Sequence, residues 1–119
     1  MRPNLYLVGM MGSGKSVTGK KLALLLKKKF VDLDEEIENR SGRTIRDIFE
    51  KEGEDYFRDL ESRLLKKVNP AGQVVATGGG VILRAENIAH MRVTGKIVYL
   101  ATSLEDLWKR LAGKKDRPL

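Results

Sequence analysis

The sequence predicts an α/β domain in which helices cover a parallel sheet. Short apolar runs alternate along the chain with longer segments whose apolar residues recur at helical spacing. The predicted strands are Leu5–Val8, Phe30–Leu33, Val74–Ala76 and Ile97–Leu100, most of them too apolar to lie half-exposed. Strands that alternate with helices are joined by crossovers and pair in parallel, so we expect a single domain over residues 1–119.

The helix after the first strand is predicted over Lys15–Leu26. Helical spacing places Leu22, Leu25 and Leu26 on one face, which we expect to pack on the sheet. A longer helix is predicted over about Glu54–Val68, where apolar side chains again form a single stripe. Both helices are therefore expected to cover the sheet with one apolar face.

Capping patterns mark two further helix starts. Thr44 precedes Asp47 by three residues, a spacing at which side chains satisfy the first backbone amides of a helix. Ser103 and Asp106 repeat this pattern, and Gly113 is the expected C-terminal stop of the last helix.

Composition excludes several kinds of site. The chain has no cysteine and a single histidine, His90, so a disulfide framework, a thiolate metal site and a multi-histidine metal site are all excluded. No apolar run approaches the roughly 20 residues that span a bilayer, and the first residues do not resemble a signal peptide. We expect a cytoplasmic protein without membrane contact. The net charge of +7 suits anionic ligands without distinguishing nucleotides, acidic metabolites and nucleic acids.

A phosphate-binding loop follows the first strand. Residues 9–16 read GMMGSGKS, which matches G-x-x-x-x-G-K-[ST] between a strand and a helix. Its glycines let backbone amides surround phosphate oxygens, and the helix N-terminus favours the same anion. Lys15 is expected to reach the β- and γ-phosphates of ATP, and Ser16 to bind Mg²⁺. The predicted nucleotide-binding residues of this segment are Gly12, Ser13, Gly14, Lys15, Ser16 and Val17.

Two aspartates follow the second strand. Period-two geometry sends Asp32 and Asp34 to one side, at the carboxyl edge where open parallel sheets bind ligands. We expect Asp32 to hold Mg²⁺ and Asp34 to accept the proton of an attacking hydroxyl. The alternative is structural, with Asp34 capping a helix that starts at Glu35. The metal role is favoured because the third strand ends in TGGG at residues 77–80, without the aspartate that many phosphate-loop proteins use there.

Five signatures in this order resemble the shikimate kinase family. They are GMMGSGKS at residues 9–16, D-x-D at 32–34, FEKEGEDYFR at 49–58, TGGG at 77–80 and RPL at 117–119. The resemblance implies a three-layer α/β/α P-loop kinase fold with a parallel sheet in the order 2-3-1-4(-5). It also implies transfer of the γ-phosphate of ATP to the 3-hydroxyl of shikimate, which yields shikimate 3-phosphate and ADP in aromatic amino-acid biosynthesis.

The resemblance also assigns roles outside the phosphate loop. Arg58 would clamp the shikimate carboxylate, with Glu54 and Glu61 at helical spacing to hold its guanidinium. Without a substrate, such a stripe is usually a solvated ion-pair face. The resemblance further implies substrate contacts at Asp34, Gly79 and Gly80. It implies an adenine contact at Arg110 and a lid arginine at Arg117. The implied catalytic residues are Lys15, Asp34 and Arg117. A helix-surface position explains Arg110 equally well.

The resemblance places a substrate-binding region at about residues 32–62 and the start of a lid at about 113–119. Members of the family continue past the lid through a further helix, a fifth strand and a terminal helix. We therefore expect that the chain is C-terminally incomplete and lacks the fifth strand. We also expect it to turn over weakly or not at all, because an untethered lid cannot close properly.

Two other functions stay open at this point. One is another small-molecule P-loop kinase, against which the acidic pair and the segment 53–58 argue. The other is a non-catalytic nucleotide-binding module, which would have little reason to retain Lys15, Asp34 and Arg117. A nucleic-acid-binding domain is disfavoured because only 6% of residues are aromatic and no reader motif is present. We expect a monomer that binds shikimate and no nucleic acid.

Overall fold

A computed structural model of the chain describes residues 2–9 and 15–100. In chain order the elements are β1 (Asn4–Gly9), α1 (Lys15–Leu26), β2 (Phe30–Asp32), α2 (Leu33–Ser41), α3 (Ile45–Glu52), α4 (Glu54–Lys67), β3 (Val74–Ala76), α5 (Ala85–Thr94) and β4 (Gly95–Leu100). A 3₁₀ turn over Val81–Leu83 precedes α5. The helix predicted after Ser103 lies outside the described residues.

The four strands form one parallel sheet in the order β2-β3-β1-β4. In the middle of the sheet, Leu5 of β1 lies opposite Val74 of β3 and opposite Lys96 of β4. Helices connect the successive strands, as parallel pairing requires. The predicted fold class and the order 2-3-1-4 are therefore confirmed.

Strand bounds agree with the sequence predictions to within two residues. β3 has the predicted bounds, whereas β1 and β4 begin earlier than predicted and β1 also ends one residue later. β4 is more exposed than its apolar sequence predicts, because Val98 and Tyr99 are 39% and 54% exposed. β4 stands at the end of the strand order, with β1 as its partner in the described part of the sheet.

Two apolar clusters lie on the two faces of the sheet. Alternate residues of β1 contribute to both, with Tyr6 and Val8 in the larger cluster and Leu7 in the smaller one. The other fully buried members of the larger cluster are Leu33, Ile37, Ile48, Leu65, Val75, Val81 and Met91. Full burial of one such aliphatic side chain contributes about 1.5–3 kcal/mol, so the face that carries α2 to α5 is firmly packed.

The predicted apolar face of α1 is wrong for two of its three leucines. The residues of α1 that are buried are Gly19 and Ala23, whereas Leu25 is 80% exposed and Leu26 is 46% exposed. A Cβ atom on Gly19 would overlap the ring of Phe30. Small residues thus face the sheet because the helix approaches it closely. Leu22 packs against the edge of the smaller cluster, whereas Leu25 and Leu26 are turned away.

The junction of β2 and α2 also differs from the prediction. β2 ends at Asp32, and α2 begins at Leu33, whose side chain is fully buried. Asp32 is the N-cap, since its Oδ1 accepts a hydrogen bond from the backbone N–H of Glu35 at 3.2 Å. The alternative in which Asp34 caps a helix that starts at Glu35 is therefore wrong. Period-two geometry does not relate Asp32 to Asp34 either, because Asp34 lies in the first turn of a helix.

Three helix starts were predicted correctly, beginning with α1, which has the predicted bounds Lys15–Leu26. Thr44 caps α3, with its Oγ1 accepting from the backbone N–H of Asp47 at 3.1 Å. α4 begins at Glu54, and its apolar stripe buries Phe57 and Leu64. None of the helices in the described ranges is long and apolar enough to cross a membrane.

Candidate active site

The carboxyl ends of three strands meet at one edge of the sheet. β1 ends at Gly9, β2 ends at Asp32, and the TGGG segment begins at Thr77 directly after β3. The backbone N–H and the Oγ1 of Thr77 both donate to the carbonyl oxygen of Leu7, at 3.0 and 2.8 Å. Parallel pairing therefore brings three segments that are distant in sequence to one edge.

Lys15 begins α1 at this edge. Its Nζ donates a hydrogen bond to the carbonyl oxygen of Gly9 at 2.8 Å. Burial lowers the pKa of the Lys15 ammonium, and the carboxylates of Asp34 and Asp32 oppose that shift. Lys15 and both aspartates are thus close enough to interact electrostatically.

Ser16 and Asp32, the two predicted metal ligands, lie side by side. The Oγ of Ser16 donates to Oδ2 of Asp32 at 2.7 Å, while the other carboxylate oxygen of Asp32 caps α2. This pair of oxygen donors fits Mg²⁺, which prefers hard oxygen ligands and retains waters and phosphate oxygens. Residues 2–9 and 15–100 contain no cluster of three or more His, Cys, Asp or Glu side chains able to hold a metal.

Asp34 faces the interior of the site. Its Oδ1 is buried and has no hydrogen-bond partner among the described residues. Burial raises the pKa of this carboxyl, and Asp32 raises it further. The cations Lys15 and Arg58 act in the opposite direction. A carboxylate with raised proton affinity is better matched to accept a proton than an ordinary surface carboxylate.

Arg58 on α4 is held between two carboxylates. Its Nη1 lies 3.0 Å from Oε1 of Glu61, and its Nη2 lies 3.5 Å from Oε2 of Glu54. Its guanidinium carbon also lies 5.1 and 5.7 Å from the ring centroids of Phe57 and Phe49. The predicted stripe is therefore confirmed. Its Arg58–Glu61 part is not a solvated face, because the Glu61 side chain is fully buried and Arg58 is 16% exposed, whereas Glu54 is 60% exposed.

Glu61 is a buried charged residue to which the sequence interpretation gave only a supporting role. Burial raises the pKa of its carboxyl, whereas the hydrogen bond from Arg58 lowers it and the charge of Asp34 raises it. Its Oε2 and the Nε of Arg58 are buried without a hydrogen-bond partner among the described residues. Its place three residues after Arg58 on a helix was the signal in the sequence.

Two glycines permit the close approach of these charged groups. A Cβ atom on Gly80 would overlap the guanidinium of Arg58. A Cβ atom on Gly78 would lie 2.8 Å from Oδ1 of Asp34 and 3.0 Å from Oε2 of Glu61. A side chain at either position would displace a charged group. Gly78 was not singled out from the sequence, although it lies within the predicted segment.

A cavity of 360 Å³ joins these groups. Its polar wall consists of Asp34, Arg58, Glu61, Gly78, Gly79 and Gly80, and its apolar wall of Ile45, Phe49, Phe57 and Leu83. The volume falls within the range of about 300–1,000 Å³ that is typical of small-ligand sites. The wall carries buried polar atoms without partners among the described residues, so a polar ligand would satisfy groups that are otherwise costly to bury.

The structure thus brings the four predicted substrate residues, Asp34, Arg58, Gly79 and Gly80, to one cavity. Val17, which was predicted to bind the nucleotide, lies on α1 and is 53% exposed. The predicted residues Gly12, Ser13, Gly14, Arg110 and Arg117 lie outside the described residues, as does the predicted lid.

Three features define the class of P-loop phosphotransferases. They are a parallel sheet in this order, a phosphate-loop sequence after β1, and a charged cavity whose Asp34 interacts electrostatically with Lys15. Comparison with known proteins identifies the family within this class. A family model described as shikimate kinase matches residues 11–119. The chain belongs to the shikimate kinase family.

Individual relatives agree with this assignment. The chain is 48% identical over 117 residues to a shikimate kinase of Persephonella marina and 50% identical over 117 residues to one of Sulfurihydrogenibium sp.. Each alignment covers 98% of this chain. The same alignments cover 71% of the Persephonella marina relative and 70% of the Sulfurihydrogenibium relative. A solved shikimate kinase from Acinetobacter baumannii in complex with shikimate has a TM-score of 0.80 and 45% identity, covering 100% of this chain and 67% of that one.

These findings confirm several predictions. The fold, the family and the function as a shikimate kinase, an ATP-dependent phosphotransferase of the shikimate pathway, agree with what the sequence predicted. The alternative of a different small-molecule P-loop kinase is thereby excluded.

Proposed function

We propose that this chain binds shikimate in the cavity between α4 and the TGGG segment and phosphorylates its 3-hydroxyl from ATP. Asp34 receives the hydroxyl, Arg58 binds the carboxylate, and the backbone N–H groups of Gly79 and Gly80 contact the ring substituents. The observation that carries this proposal is the set of buried polar atoms at one cavity that have no partner among the described residues: Asp34 Oδ1, Arg58 Nε and Glu61 Oε2.

The carboxylate of the acceptor is a good match for Arg58. The guanidinium is already oriented by Glu61 and Glu54, so little side-chain entropy is lost when a substrate binds. Its planar fork can donate two parallel hydrogen bonds to a carboxylate. The apolar wall opposite, with Phe49 and Phe57, suits the carbon ring of the same ligand.

Asp34 acts on the hydroxyl that attacks phosphorus. Its buried Oδ1 can accept a hydrogen bond from that hydroxyl, and its raised pKa favours accepting the proton. Lys15 provides the positive charge beside the transferred phosphoryl group, and it is close enough to Asp34 to interact with it electrostatically.

Mg²⁺ is proposed at Ser16 and Asp32, where two oxygen donors lie 2.7 Å apart. When bound, this ion would neutralise negative charge on the β- and γ-phosphates. We also propose that the enzyme works as a cytoplasmic monomer, as predicted from the sequence.

The test compares Asp34→Asn with Asp59→Asn, which makes the same charge change at an exposed position of α4. Shikimate-dependent release of ADP should fall roughly 10²- to 10⁴-fold in Asp34→Asn, the usual contribution of a general base, and stay near the parent rate in Asp59→Asn. Equal rates in the two variants, where the parent chain releases ADP above the background without shikimate, would contradict the role of Asp34.

Binding provides a second measurement that does not depend on turnover. In an amide NMR titration with shikimate, the signals of Gly79 and Gly80 should shift at saturable concentrations. Gluconate, an acidic alcohol without the carbocyclic ring, serves as the control ligand and should shift them less. If these signals do not respond to shikimate, the proposed acceptor site is wrong.

A further inference from the structure

A second charged cavity lies at the opposite edge of the sheet. It has a volume of 430 Å³ and lies beside the amino ends of the strands. Four cationic side chains line it: Arg2 before β1, and Lys27, Lys28 and Lys29 between α1 and β2. The active-site residues described above lie at the carboxyl ends of the same strands, so the two cavities are on opposite edges.

No acidic residue of the described part of the chain lines this amino-edge cavity. Within residues 2–9 and 15–100, none of its four cations lies within 4.0 Å of a carboxylate oxygen. Other arginines of these ranges do have such partners, as Arg43 has Asp47 and Arg84 has Asp59. Like charges that share a concave surface repel one another and raise the local positive potential.

Backbone hydrogen bonds fix the chain segments that carry these cations. The N–H of Lys28 donates to the carbonyl oxygen of Ala23 at 2.8 Å, and the carbonyl of Lys29 accepts from the N–H of Val74 at 2.9 Å. The carbonyl of Arg2 accepts from the N–H of Gly72 at 3.1 Å. The segments that carry the charges are therefore fixed to the sheet and to α1, although the side chains themselves reach solvent.

Two of the charged side chains converge over Gly72. A Cβ atom on this buried glycine would lie 3.3 Å from Nζ of Lys28, 3.3 Å from Cβ of Arg2 and 3.5 Å from Cδ of Arg2. The lysine ammonium and the stem of the arginine thus share a single small patch. An anion between them would relieve their repulsion and gain charge-assisted hydrogen bonds from both.

We propose that the amino-edge cavity binds a short linear polyphosphate. A chain of several phosphate groups can contact cations that lie along the cavity, whereas a single orthophosphate reaches fewer of them. The volume of the cavity, 430 Å³, falls within the range of about 300–1,000 Å³ that is typical of small-ligand sites. This site is separate from the proposed nucleotide site. If tripolyphosphate does not bind at the amino-edge cavity, the proposed function is unaffected.

The test is an amide NMR titration of the chain with tripolyphosphate, because NMR resolves this cavity from the phosphate loop. The signals of Lys28, Lys29 and Gly72 should shift along a saturable curve. In Lys28→Gln/Lys29→Gln, which loses two charged donors, the dissociation constant read from Gly72 should rise about tenfold or more. Orthophosphate should bind the parent chain distinctly more weakly than tripolyphosphate.

The matched control is Lys20→Gln/Lys21→Gln, which removes the same charge from exposed positions of α1 outside the cavity. It should raise the dissociation constant at most about twofold, because exposed charges act weakly across a screening solvent. Equal weakening in the two double variants would show non-specific attraction and overturn the proposal. Equal binding of orthophosphate and tripolyphosphate would overturn the assignment to a polyphosphate.

Discussion

The two edges of the sheet both concentrate charge, but they do so in different ways. At the carboxyl edge, Lys15 and Arg58 face the carboxylates of Asp32, Asp34 and Glu61. Glu61 is fully buried, and the other four residues are half-buried. At the amino edge, four cations stand together without an acidic neighbour among the described residues, and all four are exposed.

This difference has a physical reason. Charges of both signs can be buried together, because each offsets the desolvation of the other. Charges of one sign remain near water, where screening weakens their repulsion. The carboxyl edge can therefore hold a rigid, preorganised constellation for an acidic alcohol, whereas the amino edge is suited to attract an anion that supplies the missing charge.

Among effects on ligand binding and stability, the largest is expected for Arg58 at the carboxyl edge. Arg58→Lys retains the charge but loses the planar fork, and hydrogen bonds to charged groups contribute about 1.5–3 kcal/mol. We expect the dissociation constant for shikimate to rise roughly ten- to a hundredfold, measured by isothermal titration calorimetry. Arg63→Lys is the control, because Arg63 is exposed on the same helix. If both variants bind shikimate like the parent chain, Arg58 does not bind the shikimate carboxylate.

A smaller effect is expected on the free energy of unfolding, which should depend on pH through the titration of Glu61. Its pKa in the folded chain is raised above the ordinary value of 4.5, mainly by burial, so the folded state binds this proton more tightly than the unfolded state does. The stability that this tighter binding contributes is fully present below pH 4.5 and is lost as the pH rises through the pKa of the folded chain.

The measurement compares the parent chain with Glu61→Gln, which cannot titrate, by urea unfolding from pH 4 upward. The free energy of unfolding of the parent should decline relative to the variant as pH rises above the ordinary value, and the difference should then level off. A difference that is flat across this range, or that changes in the opposite direction, would show that burial does not determine the pKa shift of Glu61.

The smallest effect is expected at the amino edge in the absence of an anion. Lys28→Gln/Lys29→Gln removes like-charge repulsion between exposed groups, so Tm should rise by roughly 2 °C at low ionic strength. Added sodium chloride should reduce the difference, since it screens the repulsion in the parent chain. Differential scanning calorimetry at two salt concentrations measures both effects. A lower Tm in the variant would mean that these lysines stabilise the fold and do not repel one another.

Local patterns in the sequence predicted much of the fold. The strand β3, the start of α4 and the cap at Thr44 were all predicted, because apolar runs and caps depend on residues only a few positions apart. The face of α1 was not predicted. Counting leucines at helical spacing ignores how closely the sheet approaches, and that distance is what selects Gly19 and Ala23 as the buried residues.

The site shows the same division. The resemblance to the shikimate kinase family implied that Asp34, Arg58, Gly79 and Gly80 belong together, yet the geometric reason given for the acidic pair was wrong. The helix begins two residues earlier than the alternative assumed, which makes Asp32 the cap of α2. Spacing along a chain indicates a face only when the secondary structure at each position is known.

The sequence by itself determined that this is a phosphate-loop kinase of the shikimate kinase family with a parallel sheet, since those features are carried by contiguous motifs and by the alternation of strands and helices. Only the tertiary structure decided that Glu61 is buried against Arg58, that Gly78 separates two carboxylates, and that Arg2 meets Lys28 over Gly72. Most of those contacts join segments that lie far apart in the chain, and their distances depend on how helices and strands pack.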